Sequence, residues 1–229
     1  MDLILDGLWQ SVYLLFTGNP EVYQITFLTL QVSGTATLIS LLIGIPVGTF
    51  LALTNFPGRR FLLSIFNTGM GLPPVVAGLW ISMLLWRSGP LGFLNLLYTP
   101  AAIIIAQAVI ASPIVIALTS AAIQQIDPKL RLQIKALGAT KLQYLLFLVK
   151  EARFSLIAAV IAGFGAVVSE VGASMMVGGN VKGLSRVLTT ATVMEVSKGN
   201  FDVAIALSAI LVLLAYLTTL WLTMLQQKR

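Results

Sequence analysis

Groups that could bind an anion are concentrated between residues 169 and 192. A carboxylate is followed there by glycines, hydroxyls and two cations, in the order Glu170, Ser174, Gly178, Gly179, Lys182, Arg186, Thr189 and Thr190. Cations, hydroxyls and backbone amides supply the positive potential and the hydrogen-bond donors that an oxyanion needs. An ordinary polar loop can have the same composition, so both interpretations remain open.

Glu170 is the least expected residue of this group. A carboxylate next to apolar segments is costly and is a candidate for function. Because like charges repel, we do not expect it to bind an anion. We expect it to pair with Arg186 or Lys182, or to cap backbone amides of the glycine-rich loop, as a brace for a gate.

Groups for covalent or acid–base catalysis are missing from the sequence. The chain contains no histidine and no cysteine, so the usual general base, thiol nucleophile and Cys/His metal ligands are absent. It also lacks the Gly-x-x-x-x-Gly-Lys-Ser/Thr loop that cradles nucleotide phosphates. We therefore expect no enzyme activity, no metal site and no cofactor in this subunit.

The composition indicates that the chain lies in a membrane. Hydrophobic residues make up 58% of its 229 residues, charged residues make up 10%, and the mean hydropathy is +0.96. A soluble domain has about 25% charged residues. In a bilayer each span must satisfy its own backbone hydrogen bonds, which predicts an all-α polytopic protein. The net charge of +6 then marks loops on the cytoplasmic side rather than a nucleic-acid site.

Apolar runs predict a single transmembrane domain over residues 1–229, with about five spans. The spans are expected at about 25–53, 61–86, 100–123, 144–176 and 201–225. Residues 1–24 are apolar over too short a run and predict an external segment at the lipid interface. Five spans place ten Lys and Arg residues on one face and four on the other, so the first face is cytoplasmic. The N-terminus is then outside and the C-terminus inside.

Two features of the first two spans suggest a pathway. Thr29, Ser33 and Thr37 share one face of the first helix, where they could line a route or could pack closely against another helix. Pro73 and Pro74 lie in the middle of the second span and should break it. Broken helices in membranes usually line a cavity or are buried in protein.

A polar stretch at 126–141 interrupts the apolar pattern. Asp127 is a good helix N-cap, Pro128 suits the first helical position, and Gly138 suits a helix end. The predicted helix has an apolar stripe with cations on its other faces; its residues are Leu130, Arg131, Ile134, Lys135, Leu137 and, after the glycine, Ala139. It could rest on anionic lipid or dock into a groove of a soluble partner.

This stretch resembles the EAA loop of ABC-transporter permease subunits. The proline ten residues before the glycine and the Leu137-Gly138-Ala139 core match that loop, whereas residues 132–134 replace its Glu-Ala-Ala. The resemblance implies the fold of a type I importer permease, with a coupling helix that contacts a cytoplasmic ATPase. Residues 169–180, together with 183–192, are similar to a segment of the tungstate-type permeases, which are related to molybdate and sulfate permeases.

The resemblance also implies partners and a location. They are an ATPase dimer that binds ATP and Mg²⁺, an extracytoplasmic substrate-binding protein, and a second permease copy, all assembled in a prokaryotic plasma (inner) membrane among its lipids. No nucleic acid is involved. The cargo would be an oxyanion, tungstate first, with molybdate or sulfate as alternatives. An alternative of another class is a secondary transporter driven by an ion gradient.

Overall fold

The computed structural model describes Trp9, Tyr13 and residues 20–227, which form ten α-helices and no strand. The helices are α1 Pro20–Leu53, α2 Arg59–Gly69, α3 Pro74–Leu85, α4 Pro100–Gln124, α5 Pro128–Ala136, α6 Lys141–Glu151, α7 Arg153–Val168, α8 Gly172–Gly178, α9 Leu188–Ser197 and α10 Phe201–Gln227. A 3₁₀ turn, Gly92–Leu94, lies between α3 and α4. The all-α prediction is confirmed.

The centre of the fold is the pair α1 and α4, which share the most extensive contact surface. Small residues let these helices approach closely. A Cβ on Gly48 would lie 2.6 Å from the carbonyl oxygen of Ile116, and a Cβ on Gly44 would lie 2.5 Å from the side chain of Val115. The Ser40 hydroxyl lies 3.2 Å from the Ala108 carbonyl oxygen, to which it donates a hydrogen bond across the pair. Association through small residues is the usual mode of packing between helices in a membrane.

The helices connect two ends of the molecule. We call them the Glu21 end, where Glu21 meets residues 182–188, and the Asp127 end, formed by residues 126–141. Helices α1 and α4 both start at the Glu21 end and finish beside Ile123 and Ile134 at the Asp127 end, so they are parallel. Helix α7 runs in the opposite direction, from Leu156 in the cluster at the Asp127 end to Val168 near α9.

The predicted second span is broken, as its prolines indicated. Helices α2 and α3 are separated by residues 70–73 and are bent by 103°. Arg59 donates to the carbonyl of Leu51 at the Asp127 end, whereas Leu85 packs with Ile103 towards the Glu21 end. The bent pair therefore passes from one end of the molecule to the other.

The predicted fourth span at 144–176 is wrong as a single helix. Three helices occupy it: α6, then α7 after a break at Ala152, and then α8, which is bent by 58° from α7. Among the described residues, helices α1, α4 and α10 are each long and apolar enough to cross a membrane, and the two bent pairs raise the number of candidate spans there to five.

The start of the first span also differs from the prediction. Helix α1 begins at Pro20, earlier than the expected residue 25, because proline suits the first turn of a helix and Glu21 favours its positive end. Of the expected interfacial segment at 1–24, Trp9 and Tyr13 are helical and exposed. Residues 1–8, 10–12 and 14–19 lie outside the described residues.

Candidate functional site

Glu170 lies in the bend between α7 and α8 and is only 5% exposed. Its Oε1 atom accepts a 2.7 Å hydrogen bond from the amide of Ala173, and its carbonyl oxygen accepts one of 2.9 Å from the Thr189 hydroxyl. The first contact satisfies one of the amides that a helix start leaves without a partner. Two kinds of contact were expected for Glu170, an ion pair with a cation or the capping of a backbone amide. The structure has the second.

The expected ion pairs of Glu170 are wrong, because both cations face a different carboxylate. Lys182 Nζ lies 2.7 Å from Glu21 Oε2, and Arg186 Nη1 lies 3.2 Å from Glu21 Oε1. This role of Glu21 was not predicted from the sequence, although an acid just after a proline at a helix start was a usable signal. The contact ties the beginning of α1 to the loop before α9.

The hydroxyls of the predicted pathway are buried in packing contacts. Thr29 accepts a 2.9 Å hydrogen bond from the Leu188 amide, and Thr37 donates to the Ser33 carbonyl. Thr29, Ser33 and Thr37 are each at most 6% exposed. For these three residues the burial and the hydrogen bonds favour close packing of helices over the lining of a pathway.

The other candidates near the Glu21 end are also used in packing. Ser174 accepts a weak 3.4 Å hydrogen bond from Gln107, and Thr190 caps the start of α9 through the Val187 amide. A Cβ on Gly178 would lie 2.7 Å from Ile103. Gly179 has a φ of +66°, which glycine adopts without strain and which ends α8.

Pro73 and Pro74 differ from these residues because both are exposed. They form the start of α3, whose Gly78 packs directly against Ala173 of α8. The proline break and the buried Glu170 cap therefore lie on two bent segments that contact each other. Within residues 20–227, no three acidic side chains are grouped in a way that could hold a metal ion.

At the Asp127 end, the predicted short helix is present as α5. Asp127 is its N-cap and accepts a 2.8 Å hydrogen bond from the Lys129 amide, and Pro128 is its first residue. The Arg131 guanidinium donates to the carbonyl of Ile123, which ties α5 to the end of α4. Gly138 has a φ of +78° and ends the segment as predicted.

The apolar stripe of α5 divides between two surfaces. Ile134 is buried and Leu130 is partly buried in a cluster with Ile123 and Leu148 of the same chain. Leu137 is 86% exposed. The stripe therefore does not face outwards as a unit, because its first part holds α5 on the bundle and only its last residue is available to a partner.

Two further leucines, each five residues from Leu137 in the sequence, are also exposed. Leu132 and Leu142 are each 66% exposed. The Lys135 ammonium lies 5.1 Å from the centre of the Tyr144 ring, within the range of a cation–π contact. The exposed surface of 126–142 thus combines leucines with cations. Exposed apolar side chains of this kind are typical of a site that contacts another protein.

A second cap follows Gly138, and the sequence analysis did not use it. The Thr140 hydroxyl accepts from the Gln143 amide, and the Gln143 side chain accepts from the Thr140 amide. The spacing Thr-x-x-Gln is the usual sequence signature of such a capping box. It begins α6 directly after the turn and so fixes the direction of the chain there.

The turn between α9 and α10 contains a carboxylate, that of Glu195, whose pKa is shifted. Hydrogen bonds from the side chains of Asn200 and Lys198 stabilise the carboxylate of Glu195 and lower its pKa. The two contacts measure 2.7 and 2.9 Å. Glu195 therefore closes this turn as an ionised group.

The fold and its two ends define a class, a helical membrane subunit with a polar segment at one end. The chain belongs to the family of binding-protein-dependent transport system inner membrane components, whose profile matches residues 44–229. It is a permease subunit of an ABC importer.

Several relatives match most of the chain. A tungstate uptake system permease protein of Peptoclostridium acidaminophilum is 39% identical over 216 residues, which are 94% of this chain and 95% of the relative. A probable anion ABC transporter permease protein of Haloferax volcanii is 39% identical over 195 residues, 83% of this chain and 84% of the relative. More distant relatives include permeases named for molybdenum and for sulfate transport, each at 25% identity.

The fold is also found in a solved transporter. A structure of the MetNI methionine ABC transporter matches with a TM-score of 0.74 at 22% identity, covering 92% of this chain and 98% of that one. At this identity the match supports the fold alone. The similarity to a permease fold predicted from residues 126–141 is therefore confirmed.

Proposed function

We propose that this chain is the permease of an ATP-driven importer for tungstate. The observation that carries the proposal is the 39% identity to a tungstate permease over 94% of this chain. The relative named only for an anion has the same identity, which supports an oxyanion cargo in general and keeps molybdate and sulfate as alternatives. We expect the binding protein to contribute most of the choice between these ions.

The Asp127 end is proposed to face the cytoplasm. The chain then has ten cations on that side, which are Arg59, Arg60, Lys129, Arg131, Lys135, Lys141, Lys150, Arg153, Lys228 and Arg229, against four on the other. Such a bias sets the orientation of membrane proteins. The N-terminus is then outside, the C-terminus is inside, and the Glu21 end faces the substrate-binding protein.

The surface formed by Leu132, Leu137 and Leu142 is the proposed contact with the ATPase. These leucines are exposed, while Ile134 anchors the same helix in the bundle. A rigid connection of this kind can transmit a movement of the ATPase to α4, because Arg131 ties α5 to Ile123. ATP and Mg²⁺ would be bound by the ATPase dimer, and this subunit would need no cofactor.

A second copy of the chain is proposed to complete the pathway. The hydroxyls of Thr29, Ser33 and Thr37 are buried in packing contacts, so these three residues do not line a polar route within a single copy. Pro73 and Pro74 are exposed at the break between α2 and α3 and would face the route between the two copies. Glu170 would brace the neighbouring gate segment from behind.

The test is transport by the purified complex in vesicles. The permease, its ATPase and its binding protein are reconstituted, and uptake of tungstate, molybdate and sulfate is measured with ATP, without ATP and without the binding protein. We expect ATP-dependent uptake with tungstate preferred. Preferred uptake of molybdate or sulfate would identify that ion as the cargo instead of tungstate. Uptake driven by an ion gradient in the absence of the ATPase would instead establish a secondary transporter.

A further inference from the structure

An apolar groove runs between α1, α2 and α4. Its volume is about 520 Å³, and its walls include Ile39, Ile43, Val47, Phe66, Val109 and Pro113. Ser112 is the one polar residue in the lining, and its hydroxyl donates to the Ala108 carbonyl. The groove therefore offers apolar contacts to a ligand, and the one hydroxyl in its lining already has a hydrogen-bond partner.

The geometry of α2 creates this groove. Gly69 packs against Pro113, where a Cβ would lie 2.8 Å from the proline ring, and so fixes the end of α2 on α4. The 103° bend then directs α3 away, and none of the eleven residues of α2 is buried. Phe66 consequently overhangs the space between α1 and α4 without filling it.

The first two residues of α2, Arg59 and Arg60, lie on the Asp127 side of the groove. Arg59 lies seven residues before Phe66, two helical turns away on the same face of α2. Its Nε donates to the Leu51 carbonyl at 2.6 Å, one helical turn beyond Val47, and this leaves the terminal nitrogens of the guanidinium for another acceptor. Arg60 is exposed, and neither arginine has a carboxylate partner among residues 20–227.

We propose that this groove binds an anionic phospholipid, with an acyl chain along α1 and α4 and the phosphate at Arg59 and Arg60. The charge argues for this occupant, because an apolar helix of a second copy would not complement two unpaired arginines on the Asp127 side of an apolar slot. Anionic lipids of the cytoplasmic leaflet attract cations near the membrane surface, and guanidinium groups bind phosphate in a forked geometry. The proposal requires only that the chain spans the membrane and is independent of the cargo.

Lipid binding is measured on the full-length chain with its co-purifying subunits in mild detergent. Phosphatidylglycerol and phosphatidylcholine are titrated separately, and bound lipid is counted by native mass spectrometry. We expect a preference for phosphatidylglycerol that the double variant R59Q/R60Q reduces about tenfold, with phosphatidylcholine binding unchanged. Arg60→Gln alone keeps the Arg59–Leu51 contact and should give a smaller loss in the same direction. The matched control K141Q/K150Q removes two exposed cations of the Asp127 end and should leave the preference intact.

The apolar part of the proposal has its own test. Val109→Phe fills the groove and should reduce the binding of both lipids. Since the chain has no cysteine, Val109→Cys accepts a single photo-crosslinker, which should react with phospholipid in membranes. Equal affinity for the two lipids in the unmodified protein, full preference in R59Q/R60Q, unchanged lipid binding in Val109→Phe, or crosslinking to a second copy or another protein would each overturn the proposal.

Discussion

At the scale of single residues, three carboxylates of this protein hold neighbouring segments together through hydrogen bonds and ion pairs. Glu170 caps the start of α8, Glu21 holds Lys182 and Arg186, and Glu195 closes the turn before α10. Each of these carboxylates accepts hydrogen bonds from residues at least three positions away in the sequence. A membrane protein with eight acidic residues thus uses three of them to hold the segments at one end together.

Glu170 provides the first prediction. Glu170→Ala removes the acceptor of the Ala173 amide, so we expect a loss of about 1 kcal/mol in stability, as for other helix caps. Glu170→Gln keeps an oxygen acceptor and should lose less. Both variants should slow transport while the ratio of tungstate to molybdate uptake stays unchanged, because the carboxylate faces the protein. Thermal unfolding in detergent and competitive uptake measure the two effects; an altered ion ratio would point to direct contact with the cargo.

Glu195 provides a prediction about pH. Its pKa is lowered in the folded protein by Asn200 and Lys198, so its contribution to stability is present above the pKa of the unfolded chain. This contribution is lost as the pH falls through the lower folded value. Glu195→Gln should therefore lower the unfolding temperature at pH 7, and the difference from the unmodified protein should shrink in acid. A difference that does not depend on pH would rule out the charge as its cause.

At the scale of elements, the segment 126–142 combines an anchor with an exposed surface that we propose as the contact with the ATPase. Ile134 and Leu130 hold α5 on the bundle, and the Thr140 capping box starts α6 in a defined direction. Leu137 projects from the turn between them. The short helix is therefore positioned by its own chain before any partner binds.

The division of the stripe can be tested with a matched pair. Ile134→Ala creates a cavity under α5 and should destabilise the protein by about 2 kcal/mol. Leu137→Ser removes an exposed contact and should leave stability unchanged while it reduces binding-protein-stimulated ATP hydrolysis about tenfold. The two readouts are the unfolding temperature and ATPase activity of the complex. Full ATPase stimulation in Leu137→Ser would show that the partner contacts another surface.

Gly138 allows backbone and charge effects to be separated. Its φ of +78° disfavours most side chains, although no neighbour lies within 4 Å of the position of a Cβ. Asparagine tolerates this conformation, so Gly138→Asn should keep most of the coupling. Gly138→Asp should lose coupling to the ATPase while the spans still insert, because it adds a negative charge to a contact surface with cations. Equal uptake by these two variants in vesicles would contradict the charge effect.

At the scale of the whole molecule, the two ends are expected on opposite sides of the membrane. Lys182 is exposed at the Glu21 end, and Lys141 is exposed at the Asp127 end. In this cysteine-free chain, Lys182→Cys should react with a membrane-impermeant maleimide in intact cells stripped of any outer layer. Lys141→Cys should react only after the membrane is opened. The reverse pattern would invert the proposed orientation.

The sequence by itself determined the all-α class, the proline break and the short helix from Asp127 to Gly138. These features depend on composition and on local rules, since a cap, a proline or a left-handed glycine acts within one turn of helix. Only the tertiary structure decided which carboxylate pairs with Lys182 and Arg186. It also decided that Thr29 and Thr37 are buried in packing contacts. Finally, it decided that Ile134 faces inwards while Leu137 faces outwards. The Glu21 ion pairs and the Thr29–Leu188 contact join residues more than 100 positions apart, and the exposure of Thr37, Ile134 and Leu137 depends on how neighbouring helices pack, so local spacing encodes none of these outcomes.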